Sequence, residues 1–251
     1  MRTFLLKYTV EFFVLITGLL ITFYIEDQNE LNYKIELKNQ SLIRLIRNIE
    51  NDISDQRTNI LKVDKTISYY NIIAERGDEL FETDKDSLGY YLTAISRSST
   101  IFLSNVEEYL TLRNSGLIEL IESDTLVMLI QTRTAGHQAF KKIEDKIIEA
   151  EKEVAKIVAA KTAKISSGDI EFRGYYHGRY SPYDYHEPLT DADINTIRIM
   201  ANECEFYSPF IDRFILNDQR LIELIKNEIP NFNDEDFEDL SDERMTFSND
   251  D

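Results

Sequence analysis

Glycine and proline are scarce, eight and four in 251 residues. That scarcity argues against β-sandwiches, glycine-rich phosphate loops and collagen-like repeats, all of which need frequent turns. Cysteine is nearly absent: Cys204 stands alone, with no partner for an intramolecular disulfide or a thiolate metal site, so a folded domain must rely on its core. Positive charge is in deficit. Lys and Arg total 28 against 46 Asp and Glu, a formal charge of −18, which sets nucleic acid aside as a partner because phosphate binding rests on cationic neutralisation. Three histidines, His137, His177 and His186, are too few for a metal cluster by themselves, and no HExxH, CxxC, GxSxG or P-loop pattern occurs. The expectation is a non-enzymatic protein without cofactor or metal.

What is present in quantity is apolar and charged side chains, 43% and 29% of the chain, enough to bury a core, and the scarcity of glycine and proline makes helix the default expectation. From Phe4 to Ile25 the sequence reads FLLKYTVEFFVLITGLLITFYI. As a helix, these roughly 22 residues extend about 33 Å, the thickness of a bilayer's hydrocarbon core. Arg2 flanks the run, Glu26 and Asp27 follow it, and no small-x-small step precedes them, which reads as an uncleaved anchor over 1–27 rather than a removed signal peptide. The resulting expectation is an all-α protein, an N-terminal transmembrane helix continuing into an antiparallel bundle of long helices.

Lys7 and Glu11 interrupt the run four residues apart, on one helical face. The plain reading is an intrahelical pair near the membrane surface with Lys7 snorkelling. The sharper one gives Glu11 a partner helix or a proton-coupled role, since ionisable residues at membrane depth are costly. Thr17, Gly18 and Thr22 suit close helix packing. Arg2 and Lys7 favour a cytoplasmic N-terminus with the bundle outside a bacterial inner membrane, although Lys34 and Lys38 on the other side weaken the asymmetry.

The bundle is expected over 28–230. No glycine or proline occurs between Asp27 and Gly77, and Ile46, Ile53, Ile60 and Ile67 form a heptad column beside Leu42, Ile49, Val63 and Tyr70, with Gln56 as its polar interruption. This coiled-coil-like seam over 42–70 calls for a partner helix, within the chain, in a second copy or in another membrane protein. Arg76, Gly77 and Asp78 read as a helix end, with a new start around Thr83 to Asp86. Ser104 with Glu107 reads as a capping box, and Asn114, Ser115 and Gly116 as the end of the helix it opens. Ser123 and Asp124 open a long helix to about Ile165, with Leu126, Ile130, Phe140, Ile143, Ile147, Ala150, Val154 and Ile157 near one stripe and Lys152 and Lys156 on a solvated face. Thr190 and Asp193 cap a last helix that Pro209 should kink or divide and Pro230 should end.

Two segments stand apart. Residues 166–188 hold five turn-signalling residues, Gly168, Gly174, Gly178, Pro182 and Pro188, beside five tyrosines; within them Tyr175, Tyr176, His177, Tyr183, Asp184, Tyr185 and His186 are the candidate ligand-binding residues, for a metal, a sugar, a peptide or a membrane interface. The plainer reading has the tyrosines capping the bundle and the histidines facing solvent. Residues 231–251 carry nine acids against one arginine, with Phe232, Phe237, Leu240 and Phe247 interspersed, and read as an acidic disordered tail. His137 and Cys204 read as ordinary packed residues.

The anchor positions Glu11, Val14, Gly18, Leu19, Leu20, Ile21, Ile25, Asn29 and Glu30, together with Leu112, Ser115, Gly116, Ile121 and Leu126, resemble an uncharacterised family of single-span membrane proteins common in Bacteroidota, known only as a domain of unknown function. Gln28 stands where that family's pattern has a tryptophan. The resemblance implies a membrane anchor with a helical domain and an acid at position 11. Together these readings predict a non-enzymatic scaffold, accessory or sensory component of the cell envelope, touching membrane lipid and a homo-oligomeric or membrane-protein partner through the seam and the anchor. The alternative is a subunit of an ion-coupled membrane complex using Glu11.

Overall fold

A computed structural model of the chain describes residues 2–163 and 182–233, with side chains from residue 11 onward. Among these residues the chain is all-helical. Its elements are α1 (Arg2–Thr83), α2 (Lys85–Ile95), α3 (Glu107–Asn114), a 3-10 turn at Leu117–Leu120, α4 (Asp124–Lys161) and α5 (Asp191–Glu228). The candidate residues Tyr175, Tyr176 and His177 and all of 234–251 lie outside the described residues, as does the side chain of Lys7.

The helix boundaries follow local hydrogen bonding where a capping side chain is free to act. Ser123 Oγ accepts the Leu126 N–H at 3.2 Å to start α4, and Asp84 accepts the Ser87 N–H at 3.1 Å to start α2. At α5 the Thr190 N–H donates to Asp193 at 2.8 Å while the Asp193 N–H donates to Thr190 Oγ1 at 3.2 Å, the reciprocal arrangement expected there, worth about 1 kcal/mol. Gly116 ends the region after α3 with φ of 74°, a left-handed conformation that glycine adopts without strain.

Four boundaries depart from the sequence reading. α1 passes through Arg76–Asp78 and continues to Thr83, because Ile73 and Leu80, one heptad apart, are both buried and Arg76 forms a within-helix pair with Glu79 at 2.9 Å. Packing outweighs the roughly 1 kcal/mol that a helical glycine costs. The Ser104–Glu107 box does not form: α3 starts from Val106 with no side-chain cap. α4 stops at Lys161 rather than near Ile165, where Thr162 and Tyr183 make an isolated antiparallel bridge. Pro209 does not divide α5. Both it and Glu205, whose carbonyl loses the N–H partner, are exposed, so water replaces the lost bond while Tyr207 and Ile211 stay buried on the other face.

The chain divides into two compact units, interleaved in sequence. Unit 1 comprises Met1–Asn48, Val106–Ile130 and Glu223–Asp251, and unit 2 comprises Ile49–Asn105 and Gln131–Ile222. Unit 1 buries Leu42, Leu45 and Ile46 of α1 with Leu112, Leu126 and Ile225. Unit 2 buries Val63, Ile73, Leu88, Leu92, Phe140, Ile147, Val154, Met200 and Tyr207. Each such side chain contributes about 1.5–3 kcal/mol relative to exposure.

Much of the heptad seam is buried within the chain. Leu42, Ile46, Ile49, Ile53, Gln56 and Val63 are all buried, while Ile60, Ile67 and Tyr70 of the same seam are half-buried. Toward the start of α1 the reverse holds: eleven large apolar side chains from Phe12 to Ile25 are exposed. Among the described residues no helix is long and apolar enough to cross a membrane, and the transmembrane assignment of 1–27 is not supported by the fold.

Candidate functional site

Within unit 2, α1, α4 and α5 each place a charged residue at a core position, and these meet. Arg133 of α4 donates from Nε to Asp218 Oδ1 at 2.8 Å and from Nη2 to Asp218 Oδ2 at 3.0 Å, a two-pronged pairing with α5. The same Nη2 donates to Asp52 Oδ2 of α1 at 2.6 Å. All three side chains are nearly inaccessible, at 7% or less. Burial pushes the carboxyls of Asp52 and Asp218 above their usual range, against the pull of Arg133. Burial also opposes the charge on Arg133, but its bonds to Asp218 and Asp52 prevail and hold its pKa above the ordinary value. Two carboxylates sharing one guanidinium leave a surplus negative charge, which backbone N–H groups help to satisfy.

Those N–H groups come from an irregular stretch between α2 and α3. The Asn105 N–H faces both Asp52 oxygens at 3.3 and 3.4 Å. The Phe102 N–H donates to Glu144 of α4 at 2.8 Å, and the Ser99 N–H to Glu151 at 3.1 Å. Thr100 donates its hydroxyl to Asn59 of α1. A segment without ladder partners thus has its backbone donors satisfied by carboxylates of the surrounding helices. Glu144 also accepts the Tyr207 hydroxyl at 2.5 Å. Burial raises the Glu144 carboxyl above its usual range and pushes the Tyr207 phenol up, keeping it a hydrogen-bond donor.

His137, one turn from Arg133, lies between the rings of Phe102 and Phe214, at centroid distances of 5.2 and 5.4 Å. Burial first, and the nearby Arg133 charge second, push its pKa down to about 4. The imidazole is neutral at physiological pH. Cys204 is buried and burial pushes its thiol up to about 12, which leaves no nucleophilic thiolate at neutral pH. Arg133 is fully engaged by its two acids, so this network fixes helix positions rather than offering a charge to a substrate. Among the described residues no group of three or more His, Cys, Asp or Glu is arranged to hold a metal ion.

Of the candidates at 175–187, the described ones form part of unit 2's end rather than a common site. Tyr183 is buried, donates its hydroxyl to the Glu187 carbonyl at 2.8 Å and its N–H to the Lys85 carbonyl at 3.1 Å, and meets Phe81 edge-on at 5.8 Å. The Asp184 N–H donates to the Lys161 carbonyl at 2.9 Å. Tyr185 lies under Lys161 Nζ, 4.8 Å from the ring centre, and the same amine pairs with Asp193 at 2.8 Å. His186 is 74% exposed, 3.6 Å from Glu187. In α1, Glu11 and Gly18 are exposed; the Thr22 hydroxyl donates to the Gly18 carbonyl at 3.0 Å, and a Cβ at Gly18 would meet nothing within 4 Å.

Sequence reasoning passed over Asp52, Arg133, Glu144, Tyr207 and Asp218. A signal was present. Leu45, Ile49, Asp52, Gln56, Asn59, Val63 and Thr66 alternate by four and three residues and are all buried, so the acid occupies a core position of the heptad. Arg133 and Glu144 fall into the stripe of Ile130, Phe140 and Ile147 in the same way. Charges at the inward positions of three helices mark a buried network.

No family model, curated protein or solved structure matches this chain.

Proposed function

We propose that this protein is a membrane-anchored, non-enzymatic helical-bundle component of the bacterial cell envelope, acting as a scaffold, accessory or sensory element. The observation that carries the reading is the unbroken exposure of large apolar side chains from Phe12 to Ile25. A face this apolar on every side of a helix is matched by lipid or by a partner, not by water. The mostly apolar sequence from Phe4 to Val10, broken by Lys7 and followed by Glu11, extends the run on the same helix, giving about 22 residues and about 33 Å. The resemblance to the single-span Bacteroidota family supports the same reading, with an inner-membrane location, the N-terminus in the cytoplasm and the bundle outside it.

The bundle's own chemistry supports a structural role. Its buried arginine is engaged by two acids and its thiol is held protonated, so neither is available for covalent or acid–base work. Alkaline carbonate extraction of membranes from cells expressing the full chain tests the anchor. The full chain is expected in the membrane pellet, and a chain lacking 1–27 in the supernatant. Release of the full chain by carbonate would overturn the proposal.

A further inference from the structure

Inside unit 2, α4 and α5 run antiparallel, with Arg133 against Asp218 at one end and Lys161 against Asp193 at the other. Between them is a groove of about 230 Å³. Its walls are Ala139, Phe140, Ile143, Phe210 and Phe214, and the antiparallel register sets Gly136 and Asn217 at one end and Ile143 and Phe210 at the other. The stretch from Gly136 to Ile143 spans about 10 Å of helix. A Cβ at Gly136 would lie 3.4 Å from the Phe214 ring, in ordinary contact, so the floor of the groove is closely packed there. The Phe206 and Phe210 rings meet at a tilt, 4.9 Å between centres, and both are exposed.

One cation lines this otherwise apolar groove. Arg213 is exposed and, among the described residues, makes no ion pair or hydrogen bond, whereas Arg44, Arg76 and Arg133 each hold a carboxylate. In a chain of net charge −18, an uncommitted guanidinium at the edge of a ring-lined groove is a specific electrostatic feature. Asn217 adds an amide on the same side. Apolar walls with one cation and one amide match an amphiphile that has a single anionic head.

We propose that this groove binds a medium-chain carboxylate, its head group on Arg213 and Asn217 and its alkyl tail along Phe140, Phe210 and Phe214. The proposal is independent of how the chain meets a membrane. The test titrates carboxyl-labelled decanoate into the full chain held in phosphatidylcholine nanodiscs, read by NMR, with empty nanodiscs giving the partition baseline. Saturable binding above that baseline is expected. Arg213→Gln is expected to weaken it about tenfold, the loss of one charge-assisted hydrogen bond, while leaving the binding of decanol unchanged. Ala139→Trp, which fills the groove, is expected to abolish both at unaltered helicity; Phe210→Asp, at an exposed position, serves if that variant does not fold. Absence of saturable binding by the unmodified chain, or undiminished binding in both filling variants, would overturn the proposal. So would a self-association without decanoate binding that the groove variants remove, which would make this face an interface between copies.

Discussion

In unit 1 the buried cation Lys38 meets one carboxylate, Glu228, at 3.2 Å, and that carboxylate also accepts the Glu122 and Ser123 N–H groups at 2.7 and 3.3 Å. In unit 2 the buried cation Arg133 meets two carboxylates in the middle of three helices. The first arrangement is neutral and ties two helix ends to the middle of α1: Glu228 is the last residue of α5, its N–H donors precede α4, and Lys38 lies within α1. The second carries a surplus negative charge and pins helices at their core positions. Buried pairs of this kind add little net stability when complete, but removing one partner strands the other. Unit 1 thus uses charge to tie helix ends to α1, and unit 2 uses it to fix the register of α1, α4 and α5.

The largest effect separating the two arrangements should come from Arg133→Met, which leaves Asp52 and Asp218 buried without a cation. A loss of about 4 kcal/mol is expected, within the range for breaking a buried pair, read by urea unfolding of the full chain followed by circular dichroism. Changing Asp52→Leu and Asp218→Leu together with Arg133→Met should recover most of it, since no charge is then stranded. The recovery stops short of complete because the Asn105 N–H, now facing Asp52, loses its acceptor. A triple variant no more stable than Arg133→Met would remove the distinction between the units.

Lys38→Met should cost less, about 2 kcal/mol, because Glu228 keeps two N–H donors after the amine is gone. Hydrogen exchange resolved by segment reads the contrast. Lys38→Met should speed exchange at 106–130, and Arg133→Met at 131–161. Equal losses in both variants would mean that the number of partners around a buried carboxylate does not govern its cost here.

Much of the architecture was legible from periodicity and capping. The α2, α4 and α5 starts were marked by Asp84, Ser123 and the Thr190–Asp193 pair, whose side chains bond to the nearest amides and need nothing from the rest of the fold. What misled were signals that tertiary contacts override. Gly77 is a helix breaker only where packing is weak, and Ile73 and Leu80 are both buried around it. The segment before α3 is held by Asp52, Glu144 and Glu151, none adjacent to it in sequence, so local capping could not foretell its path. The charge network was half legible: Asp52, Arg133 and Asp218 break their apolar stripes in plain view, yet a linear pattern does not say that three such breaks lie at one level of the bundle.

The smallest effect is a dependence on pH that belongs to unit 2. His137 is neutral in the folded chain, with its pKa lowered from 6.5 to about 4, chiefly by burial and secondarily by Arg133. A base whose folded pKa is depressed is charged more readily in the unfolded chain, so stability is lost as pH falls from 6.5 toward 4. The ring is partly buried and both its nitrogens are shielded from solvent, and the effect is on the order of 1 kcal/mol. The carboxyls of Asp52, Asp218 and Glu144 have raised values and act in the opposite sense, contributing stability that is present at low pH and lost as pH rises through their folded values. The histidine's share is therefore read as the difference between the unmodified chain and His137→Phe across pH 4 to 7. The variant should lack the loss on acidification, since a phenyl ring fits between Phe102 and Phe214 and takes up no proton. In Arg133→Met the histidine should titrate higher than in the unmodified chain but still below 6.5, because burial, the larger cause, remains. A return to 6.5 in that variant would make Arg133, rather than the surrounding rings, the origin of the depression.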